Sequence, residues 1–238
     1  MKRMANNTLF VTGTDTAVGK TYVCARLLEF LKIKGVQAGY QKWVATGVSG
    51  GLPEDLAICL GAASILPVPE LLEQQVPYCF RFPASPHLAA EMEDRKVEPE
   101  VIIKNYKTLA ARYECLIVEG VGGIMVPLRR DLLLADLLAK MLPSTLIVAR
   151  SGLGTINHTL LTLEALRRRQ IPVLGVVFSD PVKQEDERLV QDNMQTIEEI
   201  GLVRVFGRLQ RHHNDTMARS SFIPVGQAIW EQMLHVES

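Results

Sequence analysis

The chain has 238 residues, 47% of them hydrophobic, enough for one large core and within the range of a single α/β domain. Its 26 basic and 26 acidic residues cancel, so no bulk field draws it to nucleic acid or to an anionic membrane, and a phosphate ligand needs a local site. Cys24, Cys59, Cys79 and Cys115 are scattered without C-x-x-C or Cys/His ligand spacing, which argues against a disulfide framework, a zinc finger or an iron–sulfur cluster and for reduced thiols in the cytoplasm.

In chain order, the amino-terminal residues 1–14 carry positive charge but only a short apolar run, too little for a signal-peptide core. Strands are expected at Thr8–Thr12, Gln37–Gln41, Cys115–Val118, Thr145–Ala149, Val173–Phe178 and Val203–Phe206. Helical patterns lie between them at Lys20–Lys34, Pro99–Tyr113, Asp131–Leu142, Thr155–Arg169, Glu185–Ile200 and Val225–Leu234. The apolar stretch 132–142 is interrupted by Asp136 and Lys140 and falls short of a bilayer span. Gly47–Pro53 and Ile65–Pro86 are the least regular segments and are expected as loops over one sheet edge. Alternating strands and helices, with strands that read as continuous apolar blocks, predict a single α/β domain: a mostly parallel sheet with helices on both faces. Ligands of such sheets bind at the carboxyl ends of the strands.

Gly13–Gly19 is a small-residue loop between the first strand and a helix opened by Lys20, the context of a phosphate-binding loop and hence of the P-loop NTPase fold. Backbone N–H groups of Gly13, Thr14, Asp15, Thr16, Ala17, Val18 and Gly19, with the helix amino terminus, form an anion cradle. Lys20 would reach the β- and γ-phosphates, and the Thr21 hydroxyl would ligate Mg²⁺. Glu119 follows the strand Cys115–Val118, where such proteins hold a metal-directed carboxylate.

The loop GTDTAVGKT resembles that of dethiobiotin synthetases, ATP-dependent carboxylases within the MinD-like branch of P-loop proteins. Further segments are similar in order and spacing: GYQKWVATG (Gly39–Gly47, with Trp43 where Pro is usual), Asp55 in PEDLA, PASPH (Pro83–His87), VEGVGGIMVPL (Val118–Leu128) and GLGTINHTLLT (Gly152–Thr162). The resemblance implies that ATP, Mg²⁺ and CO₂ convert 7,8-diaminopelargonate to dethiobiotin in a homodimer. It makes Asp55 a metal ligand beside Thr21 and Glu119, and Lys42 a cation stabilising charge at the γ-phosphate. Thr16 and Thr46 become hydroxyl donors. Gly122 would let backbone pass close to nucleotide and substrate. Gly152–Asn157, with Gly154, Thr155, Ile156 and Asn157 at its core, would receive the substrate carboxylate across the dimer. Near the base stand Ser179, Asp180 and Gly207; many members have Asn-Asp where this chain has Ser179-Asp180, so weak discrimination of ATP from other nucleotides is expected.

A rival reading is a MinD- or ParA-like regulatory ATPase, but the second loop lysine usual there is missing at Thr14 and Asp15. Gly120, Gly122 and Gly123 fail a dinucleotide fingerprint because Met125 holds its third glycine position. His87, His158, His212–His213 and Arg167–Arg169 read as structural or solvated. Ser85 and Ser220 lack a nucleophile context.

Overall fold

A computed structural model describes residues 7–180, 185–210 and 214–236. β1 (Asn7–Gly13) leads through a tight loop into α1 (Lys20–Ile33), followed by β2 (Ala38–Lys42) and the short β3 (Val44–Thr46). Next come α2 (Glu54–Ala62), a 3-10 turn (Pro69–Leu71), α3 (Leu72–Gln75), β4 (Tyr78–Phe80), α4 (Pro86–Glu91) and α5 (Pro99–Arg112). β5 (Cys115–Gly123), the hairpin β6 (Pro127–Arg129) and β7 (Leu132–Leu133), α6 (Leu134–Leu138) and β8 (Ser144–Ala149) complete the middle of the chain. The remainder is α7 (Thr155–Arg168), β9 (Val173–Asp180), α8 (Glu187–Gly201), β10 (Val205–Gln210) and α9 (Asp215–Val236).

Six strands form one sheet in the order β10-β9-β8-β1-β5-β2, and every pairing in it is parallel. The period-2 alternation of strand side chains divides the interior into two cores. Leu9, Val11, Ile117, Leu146 and Val148 face α1, α2 and α9, while Phe10, Leu116, Val118, Ile147 and Ala149 face α5, α6 and α7. The expected parallel sheet covered on both faces is therefore present.

Several boundaries differ from the expected ones. β5, β9 and β10 run further than their apolar blocks, so Glu119, Ser179, Asp180 and Gly207 are strand residues rather than loop residues. The pattern at Asp131–Leu142 yields only Leu134–Leu138 as helix, because Leu134 N–H and Ala135 N–H bond to the carbonyls of Val126 and Ile124 and hold the preceding residues in a hairpin. α9 begins ten residues before the expected Val225 and carries Pro224 inside it. The Asn214 side chain accepts Thr216 N–H at 2.8 Å, and Ala218, Phe222, Val225, Ile229 and Met233 bury one continuous stripe, which outweighs the N–H that proline lacks. The irregular region Ile65–Pro86 contains β4, which pairs in parallel with β3. Arg167 is not simply solvated: its guanidinium donates to the carbonyls of Gly201 and Leu202 at the end of α8. His212–His213 lie outside the described residues.

Trp43, the residue that departs from the resembling pattern, is fully buried. Its ring lies 4.8 Å from that of Phe10, and its indole N–H donates to Gln41 Oε1 at 3.2 Å. It thus anchors the exit of β2 to the central strand β1. Trp43→Ala is expected to cost about 3–5 kcal/mol, the usual range for truncating a buried aromatic, and to lower the urea midpoint without changing the m-value. A midpoint within error of the unaltered protein would show that the anchor contributes nothing.

Candidate active site

Gly13 ends β1, and the loop that follows is bound to β8 by Thr14 N–H donating to the Val148 carbonyl at 3.0 Å. Ala17 (φ 56°) and Gly19 (φ 97°) both take left-handed backbone, which folds the loop back over the start of α1. A side chain at Gly19 would also strike Ser179 Oγ at 2.3 Å, so close approach to β9 demands glycine there. Lys20 is buried in the first turn of α1 and donates to the Asp15 carbonyl at 3.0 Å. Burial, and then the neighbouring Lys42 ammonium, depress its pKa to about 8.

Beside the loop, residues from four elements meet. β2 pairs with β5 so that Lys42 lies opposite Glu119, and Tyr40 sits one side-chain period back on the same face. Lys42 Nζ is 2.6 Å from Glu119 Oε1 and 2.8 Å from Asp55 Oδ2 on α2. The Thr21 hydroxyl of α1 lies 2.8 Å from Asp55 Oδ1 and 2.9 Å from Glu119 Oε1. Tyr40 donates its phenol to Glu119 Oε2 at 2.8 Å. Burial works against the Lys42 charge, but the carboxylates of Glu119 and Asp55 overcome it and hold its pKa above the usual lysine value. Burial likewise works against the Asp55 charge, yet the Lys42 ammonium and the Thr21 hydroxyl pull that carboxyl below its ordinary range. Tyr40 is pushed well up by burial and then by its neighbours, so it remains a donor.

A hydroxyl and two carboxylates, with no sulfur or nitrogen among them, suit a hard divalent cation such as Mg²⁺, which is ordinarily held by one or two carboxylates plus phosphate oxygens. Thr21, Asp55 and Glu119 therefore fit the metal expected of them. Asp55 is legible only once α2 exists to carry it, and Tyr40 was missed. Its signal was the i, i+2 spacing to Lys42 on a strand, which becomes informative only when β5 is known to lie alongside.

The other expected residues divide into near and distant. Gly122 (φ 58°) passes the loop so closely that a Cβ would stand 3.5 Å from Thr16 Oγ1 and 2.8 Å from Val126. Thr14, Asp15 and Thr16 line a groove of about 440 Å³ with Gly123–Pro127, His158, Leu161 and Thr162. Arg150, also missed, reaches Thr16 O from the end of β8 at 3.3 Å. Thr46 ends β3, half-buried. Gly154 (φ 90°) and Asn157 are exposed on the outer side of the loop, Ile156 is half-buried, and Thr155 is buried with its hydroxyl 3.5 Å from that of Thr159. No side chain caps α7, so Asn157 is not a capping residue. A groove of about 580 Å³ around Glu91, Arg129 and Arg130, whose charges pair as Arg130–Glu91, Arg129–Glu98 and Arg129–Asp131, contains no residue of the phosphate loop.

Two of the residues expected near the base lie at the end of β9. Ser179 is fully buried, its hydroxyl beside Gly19 and without a hydrogen-bond partner among the described residues. Asp180 is buried and accepts from Ser151 N–H at 3.0 Å, from the Ser151 hydroxyl and from Arg208. Both are buried strand residues because β9 runs on to Asp180. Gly207, the third residue expected there, is half-buried on β10 with φ 126°.

A model of the AAA domain family matches residues 7–218. The ATP-dependent dethiobiotin synthetase BioD of Methanococcus vannielii is 40% identical over 199 residues, 84% of this chain and 91% of that protein. That of Anaeromyxobacter sp. (strain Fw109-5) is 39% identical over 223 residues, 90% of this chain and 94% of its own length. Among solved structures, a chain of the MinC:MinD cell division protein complex of Aquifex aeolicus superposes with a TM-score of 0.57 at 16% identity, over 97% of this chain and 96% of its own. The ParA family ATPase of Chlorobium tepidum TLS gives 0.54 at 13%, over 97% and 99%. At these identities the two structures show the fold alone.

The depressed pKa of Lys20 gives a sign for binding. Below about pH 8 the lysine carries its proton before any ligand arrives; above it the proton must be taken up on binding. ATP affinity is expected to fall about tenfold between pH 7 and pH 9, as a single proton uptake with a free-state pKa in that window requires. Titration calorimetry at the two pH values checks this, and an affinity flat across the window would show that Lys20 keeps its proton in the free protein up to pH 9.

Proposed function

The chain belongs to the family of ATP-dependent dethiobiotin synthetases, and from that membership we propose how its own residues divide the work. The substrates are 7,8-diaminopelargonate, CO₂ and ATP, and the products are dethiobiotin, ADP and phosphate. One substrate amine bonds to CO₂ and loses a proton to give a carbamate. A carbamate oxygen attacks the γ-phosphorus as ADP leaves, forming a mixed anhydride. The second amine attacks its carbonyl carbon, phosphate leaves with the bonding pair, and loss of a proton closes the cyclic urea. The substrate supplies the nucleophiles, so the protein needs donors and cations in place rather than a reactive side chain.

The observation that carries this division of roles is the register of Lys42 opposite Glu119, which delivers a lysine to the mouth of the phosphate loop. Loop N–H groups from Gly13 to Gly19 and the Lys20 ammonium hold the phosphates, and Lys42 faces the charge developing between carbamate and γ-phosphate. Thr16 and Thr46 orient the reacting oxygens by hydrogen bonds, and Gly122 leaves room for them. Thr21, Asp55 and Glu119 would hold Mg²⁺, which would neutralise phosphate charge. On the base side the reading keeps Ser179, Asp180 and Gly207. The chain acts as one such domain and as a homodimer in which Gly154, Thr155, Ile156 and Asn157 bind the substrate carboxylate at the partner's site. Supporting this, Leu153 and Asn157 are exposed beside the loop and Gly154 leaves the start of α7 open. A cytoplasmic setting is supported by the free thiols of Cys24, Cys59, Cys79 and Cys115. Among the described residues no helix is long and apolar enough to cross a membrane.

Incubation with diaminopelargonate, ATP, Mg²⁺ and labelled bicarbonate is expected to place label in an acid-stable cyclic product. ATP hydrolysis without that product would favour a nucleotide-switched regulatory ATPase of the MinD or ParA kind. Lys42→Ala is expected to lose stability by leaving Glu119 unpaired and, in the fraction that folds, to lower kcat by an amount equivalent to about 3–4 kcal/mol of transition-state stabilisation, the scale of one lost oxyanion donor. Near-normal turnover in the folded variant would end the catalytic role.

A further inference from the structure

All four carboxylate oxygens at the centre of the site already have protein donors. Glu119 Oε2 accepts from Tyr40, and Asp55 Oδ1 from Thr21. Asp55 Oδ2 is bound by the Lys42 ammonium at 2.8 Å, and Glu119 Oε1 by the same ammonium at 2.6 Å, with the Thr21 oxygen, whose one hydrogen serves either carboxylate, 2.9 Å away. Thr21, Asp55 and Glu119 are the oxygen donors read above as metal ligands, and among the described residues Lys42 is the cation bound to both carboxylates. Lys20, the nearest other ammonium, is tied instead to the Asp15 carbonyl.

A magnesium ion draws its oxygens to about 2.1 Å and repels any ammonium competing for them. Lys42 and the metal therefore make demands on the same oxygens that cannot both be met at full strength. A lysine, being a point charge on a flexible four-carbon stem, can leave without moving the strand that bears it. We propose that Lys42 is the resident counter-ion of the Asp55–Glu119 pair and that a divalent cation enters by displacing its ammonium. Release from the carboxylates frees the lysine for the γ-phosphate, so metal entry and delivery of the catalytic cation are one event. Tyr40 and Thr21 keep the carboxylates in place during the exchange. The inference rests on reading Asp55 and Glu119 as metal ligands, and it adds that the protein carries its own competitor for them.

Competition fixes the sign of an otherwise counter-intuitive result. Mn²⁺ is titrated into nucleotide-free protein and the free ion is read by electron paramagnetic resonance. Lys42→Met, although inactive in catalysis, is expected to bind Mn²⁺ about tenfold or more tightly than the unaltered protein, as loss of a unit positive charge from beside the ion requires. Lys42→Arg, which keeps a cation, is expected to show no such gain. Binding by Lys42→Met that is equal or weaker, with an unchanged circular dichroism spectrum, overturns the exchange, as does an equal gain in Lys42→Arg. Should Lys42→Met not fold, Lys42→Gln is read by the same criterion. Adding Asp55→Asn to Lys42→Met separates the two layers. Loss of the gain places it at this carboxylate pair, whereas a gain that survives overturns both the exchange and the ligand assignment. Weakening of Mn²⁺ binding by Asp55→Asn alone, with no gain in Lys42→Met, overturns the exchange and leaves the ligands standing.

Discussion

Glu119 is a carboxylate without solvent exposure, and a charge so placed persists only if it is paired and hydrogen-bonded. Its partners come from β2 through Tyr40 and Lys42 and from α1 through Thr21, with Asp55 of α2 completing the cluster. Segments separated by up to 98 positions are thus tied at one point. The parallel pairing of β2 with β5 comes first, since it alone sets Lys42 opposite the buried acid. The phosphate loop, hung between β1 and α1, is then drawn to the same place because β1 is the other neighbour of β5.

Within this frame two lysines have opposite electrostatic fates. Lys20, buried near a like charge and bonded to a neutral carbonyl, holds its proton loosely, whereas Lys42, set between two carboxylates, holds it tightly. A chain of zero formal charge therefore concentrates strong local fields at one edge of its sheet. Proximity of like and unlike groups, not composition, decides the behaviour of each side chain.

Features set by local chemistry were legible in the sequence. The apolar blocks of β1, β5 and β8, the glycine-bounded loop and the helix opened by Lys20 all follow from neighbours in the chain. Features set by pairing were not. Strand ends at Glu119, Ser179 and Asp180 are polar, so the apolar run stops while the ladder goes on. α2 is short, β3 and β4 are shorter, and neither leaves a periodic pattern long enough to read. Pro224 masked the first half of α9, because a single breaker is visible locally whereas the stripe from Ala218 to Met233 that overrides it is a tertiary fact. Asp55 came only from family resemblance, and Tyr40 needed the β2–β5 register to acquire a meaning.

The contact of Ser179 with Gly19 bears on how the sequence is free to drift. The serine hydroxyl stands 2.3 Å from where a Cβ on residue 19 would be, so the two positions share one small volume. An asparagine at 179, as in the resembling chains, brings two further heavy atoms into that space; it must turn outward or lift the loop from the sheet. The identity of residue 179 thereby fixes the height at which the phosphate loop rides above β9. Because residue 19 is held to glycine by its φ of 97°, any change of bulk across this contact falls on position 179 alone.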